Sequence, residues 1–381
     1  MAAALSNEKE MVHVMSLLTL APQRAEEAFA LLARWSEAER GEFISLADSN
    51  HVVLRALEPV REMAVREERH SSIATDGTAA LAGNPVAVAN GIQDWAGEHI
   101  EREKARIANA LRHLHEICLA LENSGCAVSV MKSLDHWPDL GNDLDLYTTA
   151  DERAVVNVMR EHFQAHVESR SWGDRLAHKW NFAVPGLPEA VEVHAQRLGQ
   201  TGEHTRMARR FVSRRVEKNV GGYTFPVPAP EERIVVATLQ RMYRHFYFRV
   251  CDIVNSAALV ESGAVDFAEL QKAAELGGIW PGVCSYLKIV SDYVAEYRGR
   301  KVELPERVLA TAPFGAEKVF VRARFIRVPL MPEGAGLYTR QVTATALRGD
   351  VPATLRLSLL PPLASAAAIS YKLTGSDKGI W

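Results

Sequence analysis

Asp143 and Asp145 stand in the run Asp143-Leu144-Asp145-Leu146-Tyr147, which nine intervening residues separate from the pair Lys132-Ser133. In an extended strand alternate side chains share a face, so both carboxylates project together while Leu144 and Leu146 enter the core. Two carboxylates held a few ångströms apart repel each other, and a hard divalent cation with oxygen ligands relieves that repulsion. Glu192 and His194 follow the same alternation in AVEVHAQ, with Val191 and Val193 on the opposite face. Laid beside the first strand, Glu192 completes a three-carboxylate cluster suited to two Mg²⁺ ions. One orients a triphosphate and its leaving group, and the other lowers the pKa of an attacking hydroxyl. Phosphoryl chemistry of this kind rests mainly on positioning and charge neutralisation.

These residues need a scaffold, and hydrophobic periodicity supplies one. Residues 8–70 carry apolar positions at three- and four-residue steps, with Ser36-Glu37-Ala38-Glu39 as a capping-box start, so an N-terminal helical region over 1–70 is expected. The Gly-, Ala- and Ser-rich stretch 71–92 reads as a linker. A long helix is expected over 93–124, stopped by Gly125, and leads into a strand at 127–131. The acidic strand follows, then a helix from Asp151 to about Phe163, then a hairpin of 179–184 and 190–196 around Pro185-Gly186-Leu187-Pro188. From Pro230 the pattern is helical to about 298, with Asp266 as an N-cap and a break at Gly277-Gly278. Short strand-like runs in KVFVRARFIRV precede a Leu/Ala-rich helical tail.

The order of helix, VSVMKS, GNDLDLY and VEVHAQ resembles the nucleotidyltransferase superfamily of DNA polymerase beta type, whose signature is Gly-Ser, then Asp-x-Asp, then a third acidic residue on a later strand. More narrowly it is similar to a bacterial family of uncharacterised nucleotidyltransferases, in which a Tyr/His-rich helical stretch follows; LQRMYRHFYFRVCDIV, ending near Asp252, occupies that place. The resemblance covers about 93–300. It implies an α+β fold: a small mixed sheet with helices, flanked by N- and C-terminal helical regions, with a core over 93–228, a helical domain over 229–310 and a C-terminal region over 311–381. It also implies that Asp143, Asp145 and Glu192 bind metal and that Ser133 contacts the triphosphate. Lys132 replaces the glycine of the signature and becomes a candidate phosphate contact. His194 either orients Glu192, contacts phosphate or is a structural histidine. Asp252 faces substrate or, more plainly, pairs with Arg249 or Arg244.

The implied activity is transfer of an NMP from an ATP-like NTP, with Mg²⁺, to a hydroxyl or phosphate acceptor on a small molecule, peptide or protein. Two rivals stand beside it: a non-catalytic metal-nucleotide binder of the same fold, and an RNA-directed enzyme acting as a toxin or on tRNA. The basic run 206–218, read as one helix, speaks for RNA, while a formal charge of −3 speaks against nucleic acid. Four scattered cysteines without a CxxC pair point to buried thiols in a reducing compartment. With no secretory or transit pattern at the N-terminus and no apolar run long enough to span a bilayer, a cytoplasmic protein that does not engage a membrane is expected.

Overall fold

A computed structural model describes residues 2–74 and 85–374 of the chain. Helices α1 (Ala2–Leu20), α2 (Ala25–Leu32), α3 (Glu37–Ser49) and α4 (Val53–Ala74) occupy the first region. The capping box forms as read: the Ser36 hydroxyl accepts from the Glu39 amide, and the Glu39 carboxylate accepts from the Ser36 amide. Helix α5 (Pro85–Asn123) begins earlier than expected, within the stretch read as linker, whose residues 75–84 lie outside the described ones. Its apolar stripe explains the extension, since Ile92, Ala96 and Ile100 continue the buried row of Ile107, Leu111 and Leu114. Gly125, at φ +77°, closes the turn beyond it in a conformation that other residues rarely adopt.

The central sheet contains β1 (Val128–Val130), β2 (Asp143–Thr148), β3 (His166–Val167), β4 (Lys179–Ala183) and β5 (Ala190–Ala195), in the spatial order β1-β2-β5-β4-β3. Strands β2 and β5 are parallel, whereas β1 with β2 and β4 with β5 are antiparallel. Helix α6 (Glu152–Phe163), capped by Asp151, links β2 to β3, and α7 (Trp172–Ala177) precedes β4. Leu144, Leu146, Val191 and Val193 are fully buried and join one core with the inner faces of α5 and α6. Burying each such side chain contributes roughly 1.5–3 kcal/mol, enough to fix which face of the sheet the acidic residues take.

The basic run is not one helix. Helix α8 (Arg206–Ser213) ends before strands β6 (Val216–Val220) and β7 (Tyr223–Val227), which close around Gly221-Gly222. Both glycines have positive φ, as a two-residue hairpin turn requires. Four of the six cations of the run are engaged within the molecule, Arg210 with Glu232 at 2.7 Å, Arg214 with Glu231 at 3.0 Å, Arg215 with Glu122, and Lys218 with the Leu134 carbonyl at 2.6 Å, while Arg206 and Arg209 are exposed.

The helical stretch from Pro230 is likewise interrupted. Helix α9 (Pro230–Thr238) widens into a π-helical turn over Leu239–Arg244, closed by the His245 amide on the Gln240 carbonyl at 2.8 Å. Phe246 then takes φ +52° and starts strand β8 (Tyr247–Phe248). Helices α10 (Val250–Glu261), α11 (Phe267–Gly277), α12 (Trp280–Arg298) and α13 (Glu306–Thr311) follow. Asp266 caps α11 and the break falls at Gly278, both as read. Strands β9 (Phe320–Arg322) and β10 (Phe325–Arg327) pair beside β8, and helices α14 (Ala335–Leu347), α15 (Val351–Ser358) and α16 (Leu360–Thr374) form the tail.

The N-terminal helices are tied to this half. Asn50, just past α3, accepts from the Val250 amide at 2.9 Å, and Ser16 bonds the Tyr293 hydroxyl at 2.8 Å. Asp139, in the loop before β2, accepts from the Leu54 amide at 2.6 Å and so caps α4. Among the described residues no helix is long and apolar enough to cross a membrane.

Candidate functional site

Parallel pairing of β2 with β5 sets Asp145 directly opposite Glu192. Asp143 lies two residues earlier on the same face, solvent-exposed, and all three acidic residues line one polar cavity of about 220 Å³. Buried ligand atoms of Asp145, Glu192 and His194 lie within 4.8 Å of one another, a cluster able to hold a metal ion. Two ammonium groups reach the same carboxylates: Lys132 Nζ is 2.7 Å from Asp145 Oδ1, and Lys179 Nζ is 2.6 Å from Glu192 Oε2. The donor set fits a divalent ion, because two buried carboxylates with an imidazole behind them favour a hard or borderline cation over a thiolate-seeking one.

The turn before the acidic strand is strained. Lys132 has φ +31°, in the region where glycine is at ease, and the Ser133 amide donates across it to the Met131 carbonyl. A lysine thus stands where a glycine fits the backbone best. The Ser133 hydroxyl donates to the Asp143 carbonyl at 3.1 Å and accepts from the Asp145 amide at 2.9 Å. It clips the turn to β2 and fixes the height of Asp145.

The electrostatics differ between the two carboxylates at the centre. Burial pushes the Asp145 carboxyl up to about 7 against the attraction of Lys132. Burial acts on Glu192 too, but its hydrogen bond from His194 and the ammoniums of Lys132 and Lys179 outweigh it and hold Glu192 well below the usual range. Burial pushes the His194 ring down from its ordinary value despite the attraction of Glu192. His194 Nε2 hydrogen-bonds Glu192 Oε1 at 2.9 Å, and its buried Nδ1 has no hydrogen-bond partner among the described residues.

The opposite wall comes from the π-helical turn and the start of α10: Gln240, Arg241, Arg244, His245 and Arg249, with His51 from the N-terminal region. Arg241 is buried and pairs with Asp252 at 2.7 Å. Among the described residues neither Arg244 nor Arg249 pairs with a carboxylate; Arg249 meets the His51 ring instead. Burial first, then the surrounding arginines, keeps His51 well below its ordinary value and pushes His245 down to about 2; His136 is also held well below its ordinary value, by burial first, then by His51 and the arginines. The cavity therefore has an acidic floor facing a wall with excess positive charge.

Of the residues singled out in the sequence, Lys132, Ser133, Asp143, Asp145 and Glu192 line this cavity, and His194 adjoins Glu192. Asp252 does not line it. Its carboxylate accepts from the Arg249 amide at 2.7 Å, capping α10, and holds Arg241, so the expected pairing with the side chain of Arg249 or Arg244 is replaced by one with Arg241. Sequence reasoning missed Lys179, Arg241, Arg244 and Arg249. Lys179 was within reach, since the expected hairpin sets it opposite His194. The arginines were not, because the π turn and Phe246 break the helical phase that would align them.

No family model and no curated protein matches the chain. Among solved structures it is similar to an antigenic nucleotidyltransferase-like protein from Paracoccidioides brasiliensis, at 17% identity and a TM-score of 0.29, over 51% of this chain and 94% of that one. A likeness at that level assigns neither fold nor activity, and the functional reading rests on the geometry of the site.

Proposed function

We propose that this protein is a metal-dependent nucleotidyltransferase that moves an NMP from an NTP to an acceptor oxygen and releases pyrophosphate. The acceptor oxygen forms a bond to the α-phosphorus, and the bond from that phosphorus to the oxygen bridging the β-phosphate breaks. One observation carries the reading: across a polar cavity, buried carboxylates on two adjacent parallel strands face Arg244 and Arg249, which have no carboxylate partner among the described residues. A scaffold has no use for such a costly cluster, whereas a metal-bound triphosphate satisfies both walls at once.

Asp145, Glu192 and, at the mouth, Asp143 would hold Mg²⁺, which when bound neutralises phosphate charge and polarises the reacting oxygens. Lys132, Arg244 and Arg249 bind and orient the phosphates. Asp252 fixes Arg241, and Ser133 sets the register of Asp145 beneath the turn. Four free, buried cysteines agree with the cytoplasmic setting expected from the sequence.

The contact of Lys132 with Asp145 favours a second reading, a protein that binds metal-nucleotide without turnover, because the ammonium already neutralises the central carboxylate. Incubating the full chain with each labelled NTP, Mg²⁺ and cell extract separates the two. The transferase reading expects a product heavier by one NMP, lost in Asp143→Asn and Asp145→Asn. Metal-dependent NTP binding with no such product in any extract fraction would leave the binder.

A further inference from the structure

Beside the polar cavity lies a larger pocket of about 550 Å³, within the range of small-molecule sites. Its walls are mainly apolar and aromatic: Leu198, Val236, Leu239, Tyr243, Phe246 and Tyr338. Helices α14 and α16 close one side, through Ala335 and Gln341 from the first and Leu360 and Ala364 from the second. Lys132, Gln240 and Arg244 line both cavities, so the two spaces meet at the phosphate-facing end.

The pocket is built rather than left over. Gly282 has no side chain where Tyr243 packs, and Gly334 leaves room in the same way for Phe246; a Cβ at either position would collide with the ring. Two aromatic walls therefore depend on glycines far away in the sequence.

The lining also selects charge. Away from the seam with the polar cavity it carries no cation among the described residues, and it includes the buried carboxylate of Glu203, held by the Thr201 amide at 2.9 Å. A phosphorylated or otherwise anionic body is repelled there, and a macromolecule cannot enter a space of this size. His194 lines the pocket on the side of the metal cluster, with the unpartnered Nδ1 described above. A buried polar atom without a partner calls for a hydrogen-bonding group on the occupant.

We infer that this pocket is the acceptor site, and that the acceptor is an uncharged, largely apolar small molecule with a hydroxyl at the end facing His194. The inference rests on the transferase reading for its chemistry and on the pocket alone for its binding. The hydroxyl hydrogen-bonds His194 Nδ1 while its oxygen faces the phosphate cavity. Transfer then forms the bond from that oxygen to the α-phosphorus, expels pyrophosphate and releases the hydroxyl proton to water.

The test uses the full chain with 4-phenylbutan-1-ol as probe, glycerol and glycerol 1-phosphate as controls, and Ala335→Trp and Ala364→Trp to fill the pocket from two different helices. Probe binding is read by saturation-transfer NMR, Mg·NTP binding by calorimetry, and folding by thermal melts. The expected result is binding of the aryl alcohol to wild type in preference to both controls. It should weaken by about tenfold or more in each folded filling variant, with Mg·NTP affinity unchanged within about twofold. Should one variant fail to fold, the other and the ranking of the three probes on wild type still decide. Three results overturn the inference: glycerol 1-phosphate binding best, probe binding indifferent to filling, or Mg·NTP affinity falling with the filled pocket, which would make it a nucleobase site. Loss of Mg·NTP binding in wild type would instead remove the transferase reading and leave the probe result to stand by itself.

Discussion

The two walls of the polar cavity were made in different ways. The floor, β2 and β5, comes from short alternating strands in which each acidic residue is followed by a fully buried Leu or Val. The opposite wall, residues 239–249, comes from a π turn, a residue at positive φ and the first turn of a helix. The floor is fixed by local periodicity and by the pairing of neighbouring strands. The wall is fixed by partners remote in sequence, such as His51 and Asn50 against Arg249 and Val250. The acidic side chains are thus held by a regular sheet, while the cations of the opposite wall sit on irregular backbone that only the assembled molecule holds in place.

Substitutions on each side can break or sharpen that contrast. The largest effect is expected on the floor: Asp145→Asn and Glu192→Gln should each lower Mg²⁺-dependent NMP transfer by on the order of a thousandfold, as loss of a central electrostatic group does. Asp143→Asn, at the exposed mouth and outside the tight cluster, should cost about tenfold less than either. Rates measured with a saturating acceptor fraction check the order, and equal losses at all three would place Asp143 at the centre as well.

Next comes the support of the wall. Asp252→Ala leaves Arg241 buried without its partner and removes the cap of α10, so denaturant unfolding should show a loss of about 3–5 kcal/mol. Arg244→Ala should leave stability nearly unchanged, and Arg244→Ala and Arg249→Ala should each weaken NTP binding by about 1.5–3 kcal/mol, the range of a charged hydrogen bond. A stability loss in Arg244→Ala without a change in affinity would show that this wall is structural.

The smallest effect separates the backbone of the turn from its charge. Lys132→Gly and Lys132→Met both remove the ammonium, but only glycine relieves the positive φ. The glycine variant should therefore be the more stable of the two by about 1 kcal/mol, with NTP affinity reduced alike in both. Wild-type affinity in Lys132→Gly would assign the phosphate contact to the turn's backbone instead.

How much of this was legible follows the same division. The alternation in GNDLDLY and VEVHAQ was enough to set the faces of β2 and β5, and the hairpin turn at 185–188 was enough to pair β4 with β5. Asp266 and Gly278 could be read as helix punctuation because their effects are local. The start of α5 was misplaced because a Gly/Ala-rich composition masked an apolar stripe that Ile92 and Ala96 continue. The hairpin at Gly221-Gly222 was hidden behind the charge of the run before it, although its glycine pair is itself a turn signal. Nothing in the spacing of Tyr243, Phe246, Leu330 and Tyr338 shows that they share a pocket, since the glycines that seat two of these rings lie elsewhere in the chain.

In the proposed transferase the carboxylates of β2 and β5 bind a metal ion that in turn holds the triphosphate against Arg244 and Arg249. Titration calorimetry of each NTP into the wild-type chain, with Mg²⁺ and then with excess chelator, tests it most directly. The account predicts binding of at least one NTP with Mg²⁺, its loss on chelation, and the same loss in Asp145→Asn and Glu192→Gln. NTP binding of equal strength with chelator present and in both variants would contradict it.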